Sequence, residues 1–144
     1  MLFGNALHNL DNKNRLVIPR KFVNELGNKV YILKGYEGCL SLFSEDAFKT
    51  YINNLSKYDF EKKNSRDVIR VALSSVYELE IDSKNRIQLP NDLINKYQIS
   101  NCLMVVGVND HLELWNKDKW NEYISVAEES YEQNSERLLG DKND

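Results

Sequence analysis

Lys13-x-Arg15 in the first half of the chain returns as Lys84-x-Arg86 in the second. Each pair follows an aspartate, Asp11 or Asp82, and brackets an asparagine, Asn14 or Asn85. The asparagines and aspartates have a structural role. Aspartate accepts hydrogen bonds from backbone amides ahead of it, and asparagine is the best non-glycine residue at φ > 0, so Asp-x-Lys-Asn marks a turn. The cations are not needed for that turn. Arginine offers bidentate donors to phosphate or to guanine O6/N7, and lysine offers a flexible phosphate contact. Two exposed turns that each carry such a pair suit the binding of a polyanion. The same residues also have a purely structural reading, in which Arg15 and Arg86 close salt bridges to Asp11 and Asp82 four residues away and stiffen the turns. The two roles are compatible.

Catalysis is harder to assemble from these residues. His8 and His111 are the only histidines. They do not occupy equivalent places in the two halves, and neither has a nucleophile or carboxylate partner evident in sequence. The motifs H-E-x-x-H, G-x-S-x-G and the Walker loop are missing. Asp11 and Asp82 could form a symmetric carboxylate pair, but each stands where a turn-capping aspartate is expected. Cys39 and Cys102 show no metal-ligand spacing and read as reduced, half-buried thiols of a cytoplasmic protein. The expectation is a protein without enzymatic activity, metal or cofactor.

The elements that hold the turns are duplicated with them. Leu10-Asp11-Asn12-Lys13-Asn14-Arg15-Leu16-Val17-Ile18-Pro19 and Ile81-Asp82-Ser83-Lys84-Asn85-Arg86-Ile87-Gln88-Leu89-Pro90 share one pattern at an offset of 71 residues. The repeat extends to Leu40–Phe48 and Leu112–Trp120, at an offset of 72. A unit of roughly 45 residues buries too little apolar surface to fold alone, so the halves should pack into one body with internal two-fold symmetry.

Alternating Tyr77–Ile81 and the weaker Ala6–Leu10 read as half-buried strands. Leu16–Ile18 and Ile87–Leu89 resume as strands, and each following proline ends its ladder for want of a donor. Short helices follow over Arg20–Leu26 and Asn91–Tyr97. A second strand pair comes next in each half, Val30–Lys34 with Cys39–Phe43 and Leu103–Val108 with His111–Trp115. Gly35, Gly38 and Asn109-Asp110 supply the intervening turns. Ser44 and Asn116 are placed as N-caps of helices running to about Tyr58 and about Leu138. Between the halves, Ile69, Ala72, Leu73 and Val76 recur at helical spacing, with Asn64 or Ser65 as cap. Lys62, Lys63, Arg66 and Arg70 would form the solvated face of that helix. The organisation expected is a first unit over 5–47, connecting helices over 48–75, a second unit over 76–119, and a C-terminal helix with an acidic tail over 120–144.

The formal net charge of −3 hides a dipolar distribution. Residues 1–72 hold 12 Lys/Arg against 8 Asp/Glu, and residues 73–144 hold 7 against 14. Where the basic groups sit matters more than their sum. Lys13, Arg15, Arg20 and Lys21 cluster within nine residues, which makes the first turn the more basic of the two. No aromatic residue interleaves with them, so stacking on single strands is disfavoured and duplex binding by β-turns fits better. Nothing at the N-terminus reads as a signal peptide, and no apolar run is long enough for a membrane span.

With Asp11-x-x-x-Arg15 and Asp82-x-x-x-Arg86 each followed by apolar-x-apolar-Pro, and with the stretch Val106–Trp115, the chain resembles the MraZ family over essentially its whole length. That family comprises bacterial transcriptional regulators built of two SpoVT/AbrB-like units. The resemblance implies an α+β fold, a tandem-duplicated swapped-hairpin β-barrel core with flanking helices. It implies assembly into a closed homo-oligomeric ring, and sequence-specific binding of double-stranded DNA at direct repeats. Those repeats would lie upstream of the regulator's own gene, in a cell-division and cell-wall gene cluster. The DNA contacts it implies are Arg15 and Arg86, with Lys13, Asn14, Lys84 and Asn85 on the same turns. The family commonly has glycine where this chain has Asn14 and Asn85. Asparagine keeps the turn and adds a donor and an acceptor at its tip. Other readings of the chain are a single-unit antitoxin-type regulator, a pseudo-symmetric enzyme using Asp11 and Asp82, and a purely structural ring. The duplication argues against the first.

Overall fold

The computed structural model describes residues 1–99 and 101–143, the last three of these by backbone alone; Asp144, the end of the acidic tail, lies outside the described residues. Each half runs strand, strand, helix, strand, strand, helix. The first half comprises β1 (Asn5–Asn9), β2 (Arg15–Val17), α1 (Arg20–Leu26), β3 (Lys29–Lys34), β4 (Leu40–Ser44) and α2 (Glu45–Leu55). The connector forms α3 (Lys63–Ser74). The second half repeats the series as β5 (Tyr77–Glu80), β6 (Arg86–Gln88), α4 (Asn91–Lys96), β7 (Cys102–Gly107), β8 (Leu112–Asn116) and α5 (Lys117–Glu129), and α6 (Tyr131–Asn143) follows.

The class is α+β, and every strand pairing is antiparallel. Six strands form one sheet in the order β1-β7-β8-β4-β3-β5, and β2 pairs with β6 as a separate ribbon. Exchanging each strand for its counterpart in the other half reverses that order onto itself, as a two-fold relation between halves requires. The outermost pairings cross between halves: β1 lies on β7 and β5 lies on β3. These edge strands do not pair with each other, so among the described residues the sheet is not closed into a barrel.

Burial explains why neither half stands alone. Leu16, Ile32, Leu40, Leu42 and Leu33 from the first half are essentially inaccessible, and so are Ile87, Leu89, Leu103, Leu112 and Leu114 from the second. Most of them share one core beneath the ribbon. Phe43, Phe48, Leu55 and Ala72 make a second cluster, with Tyr31 stacked on Phe48 at 4.4 Å between ring centroids. Cys39 is buried with Val106 and Trp115, and Cys102 is half-buried. Burial pushes the Cys39 thiol well above its ordinary range, so it stays protonated and unreactive.

The helix ends differ from the sequence reading in three places. Ser44 and Asn116 do cap α2 and α5, accepting from Ala47 N at 3.2 Å and Lys119 N at 3.0 Å. However, α2 stops at Leu55, and the last helix breaks at Ser130 into α5 and α6. At that junction the Ser130 amide turns back to the Ala127 carbonyl, a tight terminal turn. In α3 the N-cap position falls on Lys62, whose ammonium has no acceptor for a cap bond, and Asn64 Oδ1 accepts from the adjacent Ser65 amide at 3.0 Å instead. The connector's basic face is also less free than expected. Lys63 pairs with Asp67, Arg66 bonds the carbonyls of Phe60 and Glu61, and Arg70 lies over the Phe60 ring.

Candidate nucleic-acid interface

The two duplicated turns have nearly identical internal geometry. Asp11 Oδ1 accepts from the amides of Lys13 and Arg15, each at 2.9 Å, and Asp82 Oδ1 accepts from those of Lys84 and Arg86, each at 2.9 Å. The second carboxylate oxygen takes the arginine: Arg15 Nε is 2.7 Å from Asp11 Oδ2, and Arg86 Nε is 2.8 Å from Asp82 Oδ2. Asn14 sits at φ 59° and Asn85 at φ 60°, which turns the chain back into the following strand. The salt-bridge reading of these arginines is therefore correct as far as it goes. It accounts for only one nitrogen of each guanidinium. Among the described residues, no hydrogen bond engages either Nη atom of Arg15 or Arg86.

The amide of Arg15 is the main influence that draws the Asp11 carboxyl down to about 2, and the Arg15 guanidinium and the Lys13 amide add to it against some desolvation. At Asp82 desolvation pushes upward, but the Arg86 amide, its guanidinium and the Lys84 amide together outweigh it, so the net shift is again downward. These directions separate the turns from a shared-proton dyad, in which one carboxyl would be driven up. Each aspartate is saturated by its own turn, and the two turns stand at opposite ends of the ribbon. Asp11 and Asp82 do not form a pair.

The ribbon itself positions everything else. β2 and β6 pair in the register Arg15↔Gln88, Leu16↔Ile87, Val17↔Arg86. Two further bonds extend the ladder, Leu89 N to Asn14 O at 2.9 Å and Ile18 N to Asn85 O at 2.8 Å. The pleat drives Leu16 and Ile87 into the core, both at 0% exposure, and turns both arginines to the opposite face. Because Asn14 and Asn85 lie four ladder steps apart, at about 3.3 Å per step, the two tips are separated by roughly 14 Å.

Antiparallel pairing also redistributes the charge. Arg20 and Lys21 open α1 just beyond Ile18, whose backbone partner is Asn85. The basic start of α1 therefore belongs to the end of the ribbon that carries the second turn. The first turn instead meets α4, where Asn14 Nδ2 donates to Asn91 Oδ1 at 2.8 Å. The four-cation cluster around the first turn does not form in space. Lys21 lies instead beside β1, where His8 is pushed below its ordinary range by burial and by that lysine.

Sequence reasoning missed Gln88, Val17 and Asn91, which share this surface. Their only signal was position: two of them are the outward residues of strands whose alternate positions are apolar. Neither histidine belongs to the ribbon or its two braced turns, but His111 does have a carboxylate beside it, which the sequence reading did not credit. His111 stacks on Phe43 at 4.6 Å, with Nδ1 2.7 Å from Asp110 Oδ1. It borders an apolar cleft of about 620 Å³ lined also by Leu33, Tyr36, Tyr51 and Val71. None of the ribbon or turn residues lines that cleft.

Among the described residues, no helix is long and apolar enough to cross a membrane. The family model described as "MraZ protein, putative antitoxin-like" matches the chain twice, over residues 1–71 and 72–142. A protein of Caldanaerobacter subterraneus subsp. tengcongensis is 35% identical over 138 residues, covering 96% of each chain. One from Ureaplasma parvum serovar 3 is 33% identical over 141 residues, covering 96% of this chain and 97% of its own. One from Mycoplasma mycoides subsp. mycoides SC is 35% identical over 123 residues, covering 85% and 92%. All three carry the name "Transcriptional regulator MraZ", which is the name of a regulator and not of an enzyme. With both halves matched and relatives aligned over 85–96% of its length, the chain belongs to the MraZ family.

Proposed function

We propose that the protein is a transcriptional regulator that binds double-stranded DNA sequence-specifically through its two Asp-braced turns. In this reading Arg15 and Arg86 contact bases, Lys13 and Lys84 contact phosphates, and Asn14 and Asn85 add donors and acceptors at the tips. Asp11 and Asp82 hold the turns in shape. The observation that carries the reading is the pairing of β2 with β6. It sets two guanidiniums with free Nη edges on one outward face of a two-stranded ribbon, and the major groove, about 12 Å wide, admits such a ribbon. The printed names of the relatives support the regulatory role.

The finer features belong to the same proposal. The targets are direct repeats upstream of the protein's own gene, in a cell-division and cell-wall gene cluster, and the protein is cytoplasmic and nucleoid-associated. The core is of the swapped-hairpin type, a reading supported by β1 and β5 each pairing into the opposite half. Its units span 5–47 and 76–119. The functional particle is a closed homo-oligomeric ring. A few phosphate contacts alone give non-specific binding near ~10⁻⁴–10⁻⁶ M, whereas identical tips set along successive repeats make later contacts intramolecular.

Mobility shifts on duplexes carrying one, two and three upstream repeats, run beside light scattering, test the proposal. It expects a mass several times 16.8 kDa and a steep gain in affinity with repeat number. A monomer that binds one repeat as tightly as three contradicts the ring, and equal affinity for shuffled DNA contradicts specific recognition.

A further inference from the structure

The outward face of the ribbon has four corners, and only two of them obey the internal symmetry. Arg15 and Arg86 are equivalent positions, and so are Val17 and Gln88, at the same offset of 71 residues. The register sets Gln88 across from Arg15 and Val17 across from Arg86. The symmetric half of this face is thus a pair of guanidiniums. The asymmetric half is an amide at one end and an isopropyl group at the other.

Neither residue is required by the core. Leu16 and Ile87 fill the inward positions of the same strands, while Val17 is 52% exposed and Gln88 is exposed as well. An apolar side chain with half its surface in water contributes less to folding than the buried Leu16 beside it. Gln88 is oriented by a neighbour: its Nε2 donates to the Lys13 carbonyl at 3.2 Å. A carbonyl can only accept and Oε1 cannot donate, so the contact selects the amide nitrogen, leaving Oε1 and the second N–H for other partners. Val17 has no means of making the corresponding bond to the second turn. The asymmetry continues one layer out, where Asn14 is tied to Asn91 while the position equivalent to Asn91 is Arg20.

We infer that Val17 and Gln88 give the DNA site of one protomer its direction. This rests on the DNA-binding reading above. Two arginines related by a two-fold axis read a site and its reverse complement alike, because the duplex has the same symmetry. The proposed direct repeats have a polarity, which two equivalent arginines alone do not supply. An oriented glutamine amide pairs with the adenine N6/N7 edge, and an exposed aliphatic side chain suits the thymine methyl group. Gln88 therefore reads an adenine next to the base held by Arg15, and Val17 packs on a thymine methyl next to the base held by Arg86.

Selection from a randomised duplex library tests this, using the full-length wild type, Val17→Gln, Gln88→Val and the exchanged double variant V17Q/Q88V. Thermal melts establish that each variant is folded. The wild type should enrich an asymmetric motif. Val17→Gln should enrich a more palindromic motif with the same arginine-read bases, and the exchanged variant should enrich the reverse orientation. On the wild-type site, Gln88→Val should lose about 5- to 150-fold in affinity, the range for one good base contact. An asymmetric wild-type motif that stays unchanged in all folded variants overturns this inference and leaves the DNA-binding reading standing. A wild type that enriches no motif overturns the DNA-binding reading, and this inference with it.

Discussion

Arg15 reaches back four residues to Asp11, with Nε 2.7 Å from Oδ2, which leaves its Nη atoms without a hydrogen bond among the described residues while its Nε is held. Arg86 does the same with Asp82 at 2.8 Å. The ion pair in each case aims the guanidinium, since a braced arginine loses less rotamer freedom when it meets a ligand.

It follows that the arginines should matter more for binding than for folding. Arg15→Ala or Arg86→Ala should weaken specific binding by ~1–3 kcal/mol each, with little change in far-UV spectrum or melting temperature. Arg15→Lys keeps the charge but loses the fork, and should also bind poorly. Thermal melts run beside gel shifts separate the two effects; unfolding of both alanine variants would return the arginines to a structural role alone.

The turns should be insensitive to pH across the neutral range and fail only in acid. The Asp11 carboxyl titrates at about 2 in the folded chain, and near ~3.9 in an unfolded one. Because the folded value is the lower, the stabilisation is complete above pH ~4 and disappears as the pH falls through about 2. Asp82 shifts in the same direction. Carboxyl carbon shifts followed by NMR from pH 7 downward should show both aspartates titrating below the exposed ones. A midpoint for Asp11 near 4 would contradict the bracing geometry.

Asn14 and Asn85 lie at φ 59° and 60°, where a β-branched residue is strained. Replacing either by glycine should leave the melting temperature nearly unchanged, and replacing it by valine should cost ~1–3 kcal/mol. Urea denaturation measures the difference, and equal stability for the Gly and Val variants would count against the turn.

The ribbon should depend on its inward side chains. Leu16 and Ile87 face each other across the two strands, both at 0% exposure. Truncating either to alanine should cost ~2–5 kcal/mol by leaving a cavity under the interface. Denaturant midpoints check this, and a loss below ~1 kcal/mol would mean that the ribbon is not anchored there.

Local chemistry was readable from the chain, and long-range pairing was not. The left-handed asparagines, the Ser44 and Asn116 caps and the extent of α1 follow from residues within a few positions of one another. The pairings of β1 with β7 and of β2 with β6 join residues roughly 70–100 apart in sequence, and local spacing carries no record of them. Sequence proximity therefore groups Arg20 and Lys21 with the wrong turn, and it gives no sign of Gln88 and Val17, which are defined by what stands across the ribbon. The break at Ser130 is silent in the sequence for another reason. Tyr131 to Leu139 is as helical in composition as the segment before it, and no glycine or proline marks the junction.

In the proposed function, two braced arginines on one ribbon read duplex DNA. Fluorescence anisotropy on the duplex upstream of the protein's own gene, and on a shuffled duplex of equal length at ~0.15 M salt, tests it most directly. The wild type and the doubly substituted R15A/R86A protein should be titrated side by side. The wild type should bind the upstream duplex far more tightly than the shuffled one, and R15A/R86A, still folded, should bind both with the same weak affinity. A folded R15A/R86A protein that keeps the wild-type preference would contradict it.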